Sequence, residues 1–352
     1  MEINREILKL ARESRGYNQK ELSAKLGIEQ GTLSKIENEF LSIDEDLVDK
    51  ISIILEYPKN FFFQKRPVHL LQGHYRKKIT LPTKEVKKQL SKMTIIEWHI
   101  EKLIESIEPV EANLPSWNCD FDGNPIVCAN YVREYWKIPR GRLEDLTKII
   151  EANGILVVPI DLGDIDGLSI YSGSGTPIIF INKFAPGDRY RHILGHELGH
   201  LIMHFRQKID ESRDIESEAH LFSSELLMPA NEIQQHLVKL NIEKLAELKS
   251  YWKVSMAAIL YKAHKQLNVI SQSQYHYLWK QMSYLGYRKN EPVFIPKETA
   301  TLLKEIVDLH LNDLGYSLNE LSILLNTSEK EFHDIYINTE RNLRLVQSRK
   351  VS

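Results

Sequence analysis

RHILGHELGHLIMH, residues 191–204, carries a histidine at every fourth position: His192, His196, His200 and His204. In an α-helix, residues spaced in this way lie on one face, about one turn apart. The middle pair encloses a glutamate, because residues 196–200 read His-Glu-Leu-Gly-His. This HExxH spacing predicts two imidazole metal ligands, His196 and His200, with Glu197 as the general base that activates water.

The outer two histidines of the stripe have no such glutamate. His192 is followed by Ile193, and His204 is followed by Phe205. We therefore expect both to be neighbours of the metal site and not ligands. For His204 two interpretations stay open, a hydrogen bond to a ligand or simple packing.

The composition is that of an ordinary globular chain, with 352 residues, 42% hydrophobic and 27% charged. This length allows two or three domains. No apolar run approaches the roughly 18 residues of a membrane-spanning helix, and the N-terminus lacks the apolar segment of a signal peptide. Cys119 and Cys128 imply no disulfide framework. We therefore expect a cytoplasmic protein that does not interact with membranes.

A helix-turn-helix is predicted near the N-terminus. Asn18 and Glu21 have the spacing of a capping box, and Gly27 is suited to end the helix that they begin. A second short helix follows at once, with Leu33 and Ile36 facing inward. Two helices joined by a tight glycine turn can place the second helix in the DNA major groove.

This N-terminal pattern resembles the Cro/repressor-type (XRE) DNA-binding domain. The resemblance implies that Gln30, Gly31 and Lys35 face base edges, with Thr32 on the same outward side, and that Gln19 contacts phosphate. Glutamine suits adenine, and lysine suits guanine. The alternative is a three-helix module used only for protein contacts.

The segment before the histidine helix has strand signals, since residues 154–184 are rich in β-branched residues separated by Gly/Ser turns. A small sheet followed by a metal helix resembles the layout of zincin metallopeptidases, in which an edge strand holds the peptide substrate. On the next predicted helix, Glu216 precedes Ala219 by three residues. In gluzincins that pattern supplies the third zinc ligand. Glu218 is the nearest competitor, but on a helix it points about 160° away from Glu216.

RYRHILGHELGHLIMH together with ESEAHLFSSELLMP resembles the ImmA/IrrE family of zinc metallopeptidases. The resemblance implies one Zn²⁺ per chain, held by His196, His200 and Glu216. It also implies cleavage of a specific transcriptional repressor, which derepresses stress, phage or mobile-element genes. His220 departs from the family, which usually has asparagine or aspartate after the alanine.

Two further segments are distinctive. The region 65–92 contains nine basic residues against one acid, Glu85. Such a region can bind a phosphate backbone, or it can be a solvated connector between domains.

Residues 315–335 align without gaps to residues 16–36 and share Gly-Tyr and Glu-Leu-Ser. The second copy carries Glu329, Glu331 and Asp334 where DNA contacts are expected, so we interpret it as a packing or protein-contact module.

The sequence thus predicts an α+β, mostly helical protein in five segments. These are a helix-turn-helix DNA-binding domain (1–66), a basic helical connector (67–110), a zincin-like core with a small sheet (111–240), a helical segment completing the peptidase (241–295) and a C-terminal helical module with a degenerate helix-turn-helix (296–352). The expected function is that of a zinc endopeptidase. Its expected partners are DNA and a protein substrate, an XRE-type repressor, and the chain could also form a homodimer. The alternative is a DNA-binding regulator whose zincin domain serves as a sensor or dimerisation body with little turnover.

Overall fold

The structure, a computed structural model, describes residues 3–38, 41–69, 71, 83–107, 111–205, 209–210 and 212–337. These residues are mostly helical with one three-stranded sheet, which confirms the predicted α+β class. They group into two compact units, one drawn from Met1–Leu70, Pro82–Ile107 and Leu303–Ser352, the other from Leu71–Leu81 and Glu108–Leu302. Within the described residues, no helix is both long and apolar enough to cross a membrane.

The first unit begins with a bundle of short helices. They are α1 (Arg5–Ser14), α2 (Gln19–Leu26), α3 (Gln30–Glu37) and α4 (Glu45–Leu55), then a 3₁₀ turn at Lys59–Phe63 and the long α5 (Thr83–Ile104). Asn18 and Glu21 form the expected capping box at α2. Gly27 ends α2 with φ of 72°, a left-handed conformation that glycine adopts at little cost. Leu33 and Ile36 are fully buried, so α3 turns its other side outward.

The C-terminal part of this unit repeats the same motif. It contains α14 (Leu302–Asn312), α15 (Leu318–Leu324), α16 (Glu329–Phe332) and a π-helical turn at His333–Ile337. Ser317 and Glu320 form a capping box at α15, as Asn18 and Glu21 do at α2. Asn326 has φ of 52° at the position that corresponds to Gly27. The aligned segments therefore share caps, turn and helices.

The C-terminal helices pack against α5 and against the end of α1. Leu103 of α5 lies in one buried apolar cluster with Leu321 and Phe332. Nδ1 of His99 is 2.8 Å from the hydroxyl oxygen of Tyr336 in the interior. Both oxygens of Glu331 accept hydrogen bonds from the guanidinium of Arg15, at 2.8 and 2.7 Å. An acid that we expected to repel phosphate is thus held in an ion pair within the unit.

The second unit contains the sheet and the remaining helices. Before the sheet come α6 (Pro125–Tyr135) and α7 (Leu146–Ala152). The strands are β1 (Leu156–Ile160), β2 (Gly167–Tyr171) and β3 (Pro177–Asn182), in the order β1-β3-β2. β1 pairs with β3 in parallel and β2 pairs with β3 in antiparallel, with Ser169 opposite Ile179. β2 is therefore an edge strand of this sheet.

The histidine helix follows the sheet directly. It is α8 (Gly187–Met203), and α9 (Ile215–Leu227) packs against it; then come α10 (Ala230–Ile233), α11 (Ile242–Trp252), α12 (Met256–Tyr261) and α13 (Gln272–Tyr284). The predicted inward stripe of α9, Ala219, Phe222 and Leu226, is fully buried.

Two glycines of α8, one turn apart, allow α9 to approach closely. A Cβ built on Gly195 would lie 2.6 Å from Oγ and 3.2 Å from Cβ of Ser223. A Cβ on Gly199 would lie 3.0 Å from Cδ1 of Phe222. Real Cβ atoms do not tolerate the first of these contacts, so a larger residue at Gly195 would force Ser223 or α9 to shift.

Part of the basic region lies outside the described residues, including Arg76, Lys77 and Lys78. Its described end belongs to α5, where Lys84 forms an ion pair with Glu21 of α2 at 2.7 Å. The two cysteines are free thiols, Cys128 buried and Cys119 partly buried.

Candidate metal centre

Three side chains from two helices bring their donor atoms together. Nε2 of His196 and Nε2 of His200 on α8 are 3.1 Å apart. On α9, Oε2 of Glu216 lies 3.6 Å from Nε2 of His196, and Oε1 lies 3.5 Å from Nε2 of His200. Among the described residues, these three are the group of His, Cys, Asp and Glu side chains that could hold a metal ion.

The spacing of these donors fits a tetrahedral zinc ion. Ligands about 2.0–2.1 Å from such an ion lie about 3.3 Å from one another, and the separations of 3.1, 3.6 and 3.5 Å fall on either side of that value. Burial, followed by the surrounding imidazoles, lowers the pKa of His196, so its ring is neutral and offers a lone pair at neutral pH. Nδ1 of His196 is buried without a hydrogen-bond partner among the described residues. Two imidazoles and a carboxylate are a donor set that Zn²⁺ takes in catalytic sites.

Glu197 lies near this cluster and contacts the edge strand β2. Its side chain is buried, and Oγ of Ser169 on β2 donates a hydrogen bond of 2.7 Å to Oε2. A Cβ on Gly167 would lie 3.2 Å from Cγ of Glu197, so a small residue lets β2 approach α8 here. Burial raises the pKa of Glu197, although His200 and the Ser169 hydroxyl act in the opposite direction. A buried carboxyl of raised pKa beside three candidate metal donors is suited to accept a proton.

Glu218 points away from the three donors, as its position on the helix predicts. Its Oε2 lies 3.0 Å from Nε2 of His204, and both of its oxygens accept hydrogen bonds from Arg213. Although burial opposes it, the bonds from Arg213 and His204 lower the pKa of Glu218. Nδ1 of His204 in turn lies 2.8 Å from Nδ1 of His200. Of the two interpretations of His204, the hydrogen bond to a predicted ligand is the one seen in the structure.

His192 and His220 form a second pair beside the cluster. Nε2 of His192 lies 3.3 Å from Nδ1 of His220, and the two rings are stacked. Nδ1 of His192 faces the hydroxyl of Ser223 at 3.1 Å. His220, the residue that departs from the family pattern, also packs its ring 4.4 Å from that of His196.

The residues expected to contact DNA lie on the first unit. Gln30, Gly31 and Lys35 are exposed along α3, and Thr32 is partly exposed. Gln19 at the start of α2 donates a hydrogen bond of 2.8 Å to Oε2 of Glu37, which also pairs with Arg12.

Comparison with protein families agrees with this arrangement. Residues 150–264, which include the sheet and all three donors, match the peptidase family model described as IrrE N-terminal-like domain. Over these residues the chain is similar to an IrrE-like peptidase domain. Residues 8–62 match the family described as helix-turn-helix. The chain is thus a helix-turn-helix DNA-binding domain fused to an IrrE-like peptidase domain, as the resemblance implied. No curated protein matches the chain.

Several contacts near the candidate metal donors of the IrrE-like domain were not predicted from the sequence. Ser169 and Gly167 were visible only as residues of a strand, and nothing in their spacing relates them to Glu197. Gly195 and Gly199 stand beside the metal motif, and their spacing of four was a signal for close helix packing that could have been used.

Proposed function

We propose that the chain is a zinc-dependent endopeptidase that cleaves a specific transcriptional repressor, with DNA binding supplied by its N-terminal domain. The observation that carries the proposal is the meeting of His196, His200 and Glu216 beside the buried carboxylate of Glu197. Three protein ligands leave a position for water or substrate, which is typical of catalytic zinc sites and not of structural ones.

The proton chemistry falls to Glu197. A zinc ion, when bound, supplies a Lewis acid that polarises the scissile carbonyl and acidifies water. Glu197 takes a proton from the attacking water and later delivers it to the leaving amine. Ser169 fixes the orientation of the carboxylate through its hydrogen bond. The raised pKa of Glu197 helps it to hold that proton between the two steps.

The substrate is proposed to bind in an extended form along β2. This strand lies at the edge of the sheet, and its Ser169 contacts Glu197. An extended peptide can add to a sheet edge through main-chain hydrogen bonds while its side chains give specificity. A narrow substrate range is consistent with this mode, because only a chain segment that can become extended fits.

The DNA-binding half of the proposal concerns α3. We propose that Gln30, Gly31, Thr32 and Lys35 contact base edges and that Gln19 contacts phosphate. The exposure of Gln30, Gly31 and Lys35 on α3 supports this proposal. The match of residues 8–62 to the helix-turn-helix family supports it as well. A peptidase bound to DNA in this way is brought close to a repressor on the same promoter.

Glu197→Gln tests the enzymatic proposal. Glutamine has nearly the same size but cannot accept the proton, so the variant should fold, bind one zinc per chain and cleave at least about 100-fold more slowly. The measurement is zinc content, together with gel-followed cleavage of helix-turn-helix repressors from the same genome. Cleavage at the parental rate contradicts the role of Glu197. Zinc binding without cleavage by the parent protein favours the regulator alternative.

A further inference from the structure

A chain of hydrogen bonds runs from the back of one proposed ligand to an ion pair. Nδ1 of His200 lies 2.8 Å from Nδ1 of His204, and Nε2 of His204 lies 3.0 Å from Oε2 of Glu218. Arg213 then donates to both oxygens of Glu218, at 2.9 and 2.6 Å. His200 and His204 are 4% and 2% exposed, so water has little access to these contacts.

The carboxylate at the end of this series of hydrogen bonds determines which nitrogen of each histidine carries a hydrogen. The carboxylate of Glu218, paired with a guanidinium, only accepts hydrogen bonds, so Nε2 of His204 must carry a hydrogen. In the neutral form of the His204 ring, Nδ1 is then a bare acceptor. Nδ1 of His200 must therefore be the donor, and Nε2 of His200 retains its lone pair. That nitrogen is the one that faces His196 and Glu216.

The other proposed histidine ligand has no comparable support. Nδ1 of His196 has no hydrogen-bond partner among the described residues. His192 occupies the turn before His196, as His204 occupies the turn after His200, but its nitrogens face Ser223 and His220. The histidine stripe is thus unsymmetrical, and the supporting contact occurs at its C-terminal end.

We propose that His204 and Glu218 are positioning residues that fix His200 in the tautomer and orientation required to bind a divalent metal ion. The inference rests on the metal site of the proposed function. It gives the first turn of α9 two tasks, because Glu216 and Glu218, two residues apart, point to opposite sides of the helix. One carboxylate completes the donor cluster, and the other holds the histidine behind a ligand.

Zinc affinity is the first test, with a matched control on the same helix. His204→Phe keeps a ring but removes both nitrogens, and we expect it to weaken zinc binding about 10- to 100-fold in competition with a chelating dye. Glu218→Ala, which removes a partly exposed side chain, should also weaken zinc binding. His192→Phe makes the same ring exchange at the other end of the stripe and should bind zinc like the parent. Parental affinity in both His204→Phe and Glu218→Ala, or equal loss in His192→Phe, overturns the proposal.

The tautomers of the metal-free parent protein provide a second readout that needs neither zinc nor catalysis. Long-range ¹H–¹⁵N spectra of histidine-labelled protein should show hydrogen on Nδ1 of His200 and on Nε2 of His204. In Glu218→Ala the share of the Nδ1–H form at His200 should fall. The reverse tautomers in the parent overturn the inference. If the parent binds no zinc but shows the expected tautomers, the proposed function fails and the hydrogen-bond chain stands.

Discussion

At the scale of single residues, Glu216 and Glu218 show how two similar side chains in one helical turn differ in consequence. Glu216 lies with the two imidazoles, whereas Glu218 binds Arg213 and His204. Spacing alone could separate them, because a helix turns by about 100° per residue. What spacing could not supply is the partner of Glu218, since Arg213 and His204 reach it only after α8 and α9 have packed.

Glu216→Ala is predicted to abolish stoichiometric zinc binding. Loss of one of three protein ligands leaves two imidazoles, which is too few for a stable site in competition with a chelator. Zinc content after dialysis against a weak chelator measures this. Glu243→Ala is the matched control, since Glu243 also lies in the first turn of a helix but is exposed. If both variants retain one zinc per chain, Glu216 is not a ligand.

At the scale of elements, the contact of α8 with α9 determines whether the donors meet. Gly195 and Gly199 let the helices approach, and α9 carries Glu216. Gly195→Ala should destabilise the protein by about 1–3 kcal/mol, because overpacking outweighs the gain in helix propensity. It should also weaken zinc binding, since α9 moves outward with Glu216. Urea unfolding and zinc titration measure the two effects.

Gly31→Ala is the control for this prediction. Gly31 is also helical, but a Cβ there would meet nothing within 4 Å. Its change to alanine should leave stability unaltered or raise it by about 0.5–1 kcal/mol, and zinc binding should be unchanged. If Gly195→Ala shows the same stability and zinc affinity as Gly31→Ala, the contact between α8 and α9 accommodates the added methyl group and the prediction is wrong.

The packing of α5 against the C-terminal helices should depend on pH through His99. Burial lowers the pKa of His99 from 6.5 to about 4, although a backbone contact at Leu325 opposes this. The folded protein therefore keeps His99 neutral while the unfolded chain takes up a proton near pH 6.5. The contribution of His99 to the free energy of unfolding is therefore fully present above pH 6.5. It is lost as the pH falls toward 4, by up to about 3 kcal/mol.

Urea unfolding at a series of pH values checks this loss against His99→Gln. Glutamine can still bond Tyr336 but does not titrate in this range, so the free energy of unfolding should fall less steeply with acid in the variant. Equal slopes in the parent and the variant rule out His99 as the source.

The elements themselves were largely predictable from the sequence. Asn18, Glu21 and Gly27 carry local signals, because caps and left-handed turns are decided within a few residues. The metal motif is equally local. Ser169, Gly167 and Tyr336 could not be assigned, since each acquires its role from a partner 28 or more residues away. Contacts of this kind depend on tertiary packing, which periodicity does not encode.

At the scale of the whole molecule, the residues of the two proposed functions lie in different domains and do not overlap. Lys35→Ala should weaken specific DNA binding by about 1–3 kcal/mol if Lys35 contacts a base. Lys87→Ala, in the basic region, should instead weaken binding to every sequence and reduce its dependence on salt. Gel shifts over a salt series distinguish the two effects. Unchanged DNA binding by both variants at every salt concentration rules out Lys35 and Lys87 as DNA contacts. Absence of DNA binding by the parent protein indicates a module for protein contacts.

The repeat of the helix-turn-helix has a consequence for how this chain could change over generations. By the ungapped alignment Glu331 takes the place of Thr32, and its carboxylate now holds Arg15. Threonine at this position would match the first copy and would at the same time remove the ion pair that joins the C-terminal helices to the end of α1. In the C-terminal copy, a position that corresponds to an expected DNA contact therefore stabilises the first unit from within. A substitution at this position toward the residue of the first copy is therefore disfavoured, because it removes a contact that the first copy uses.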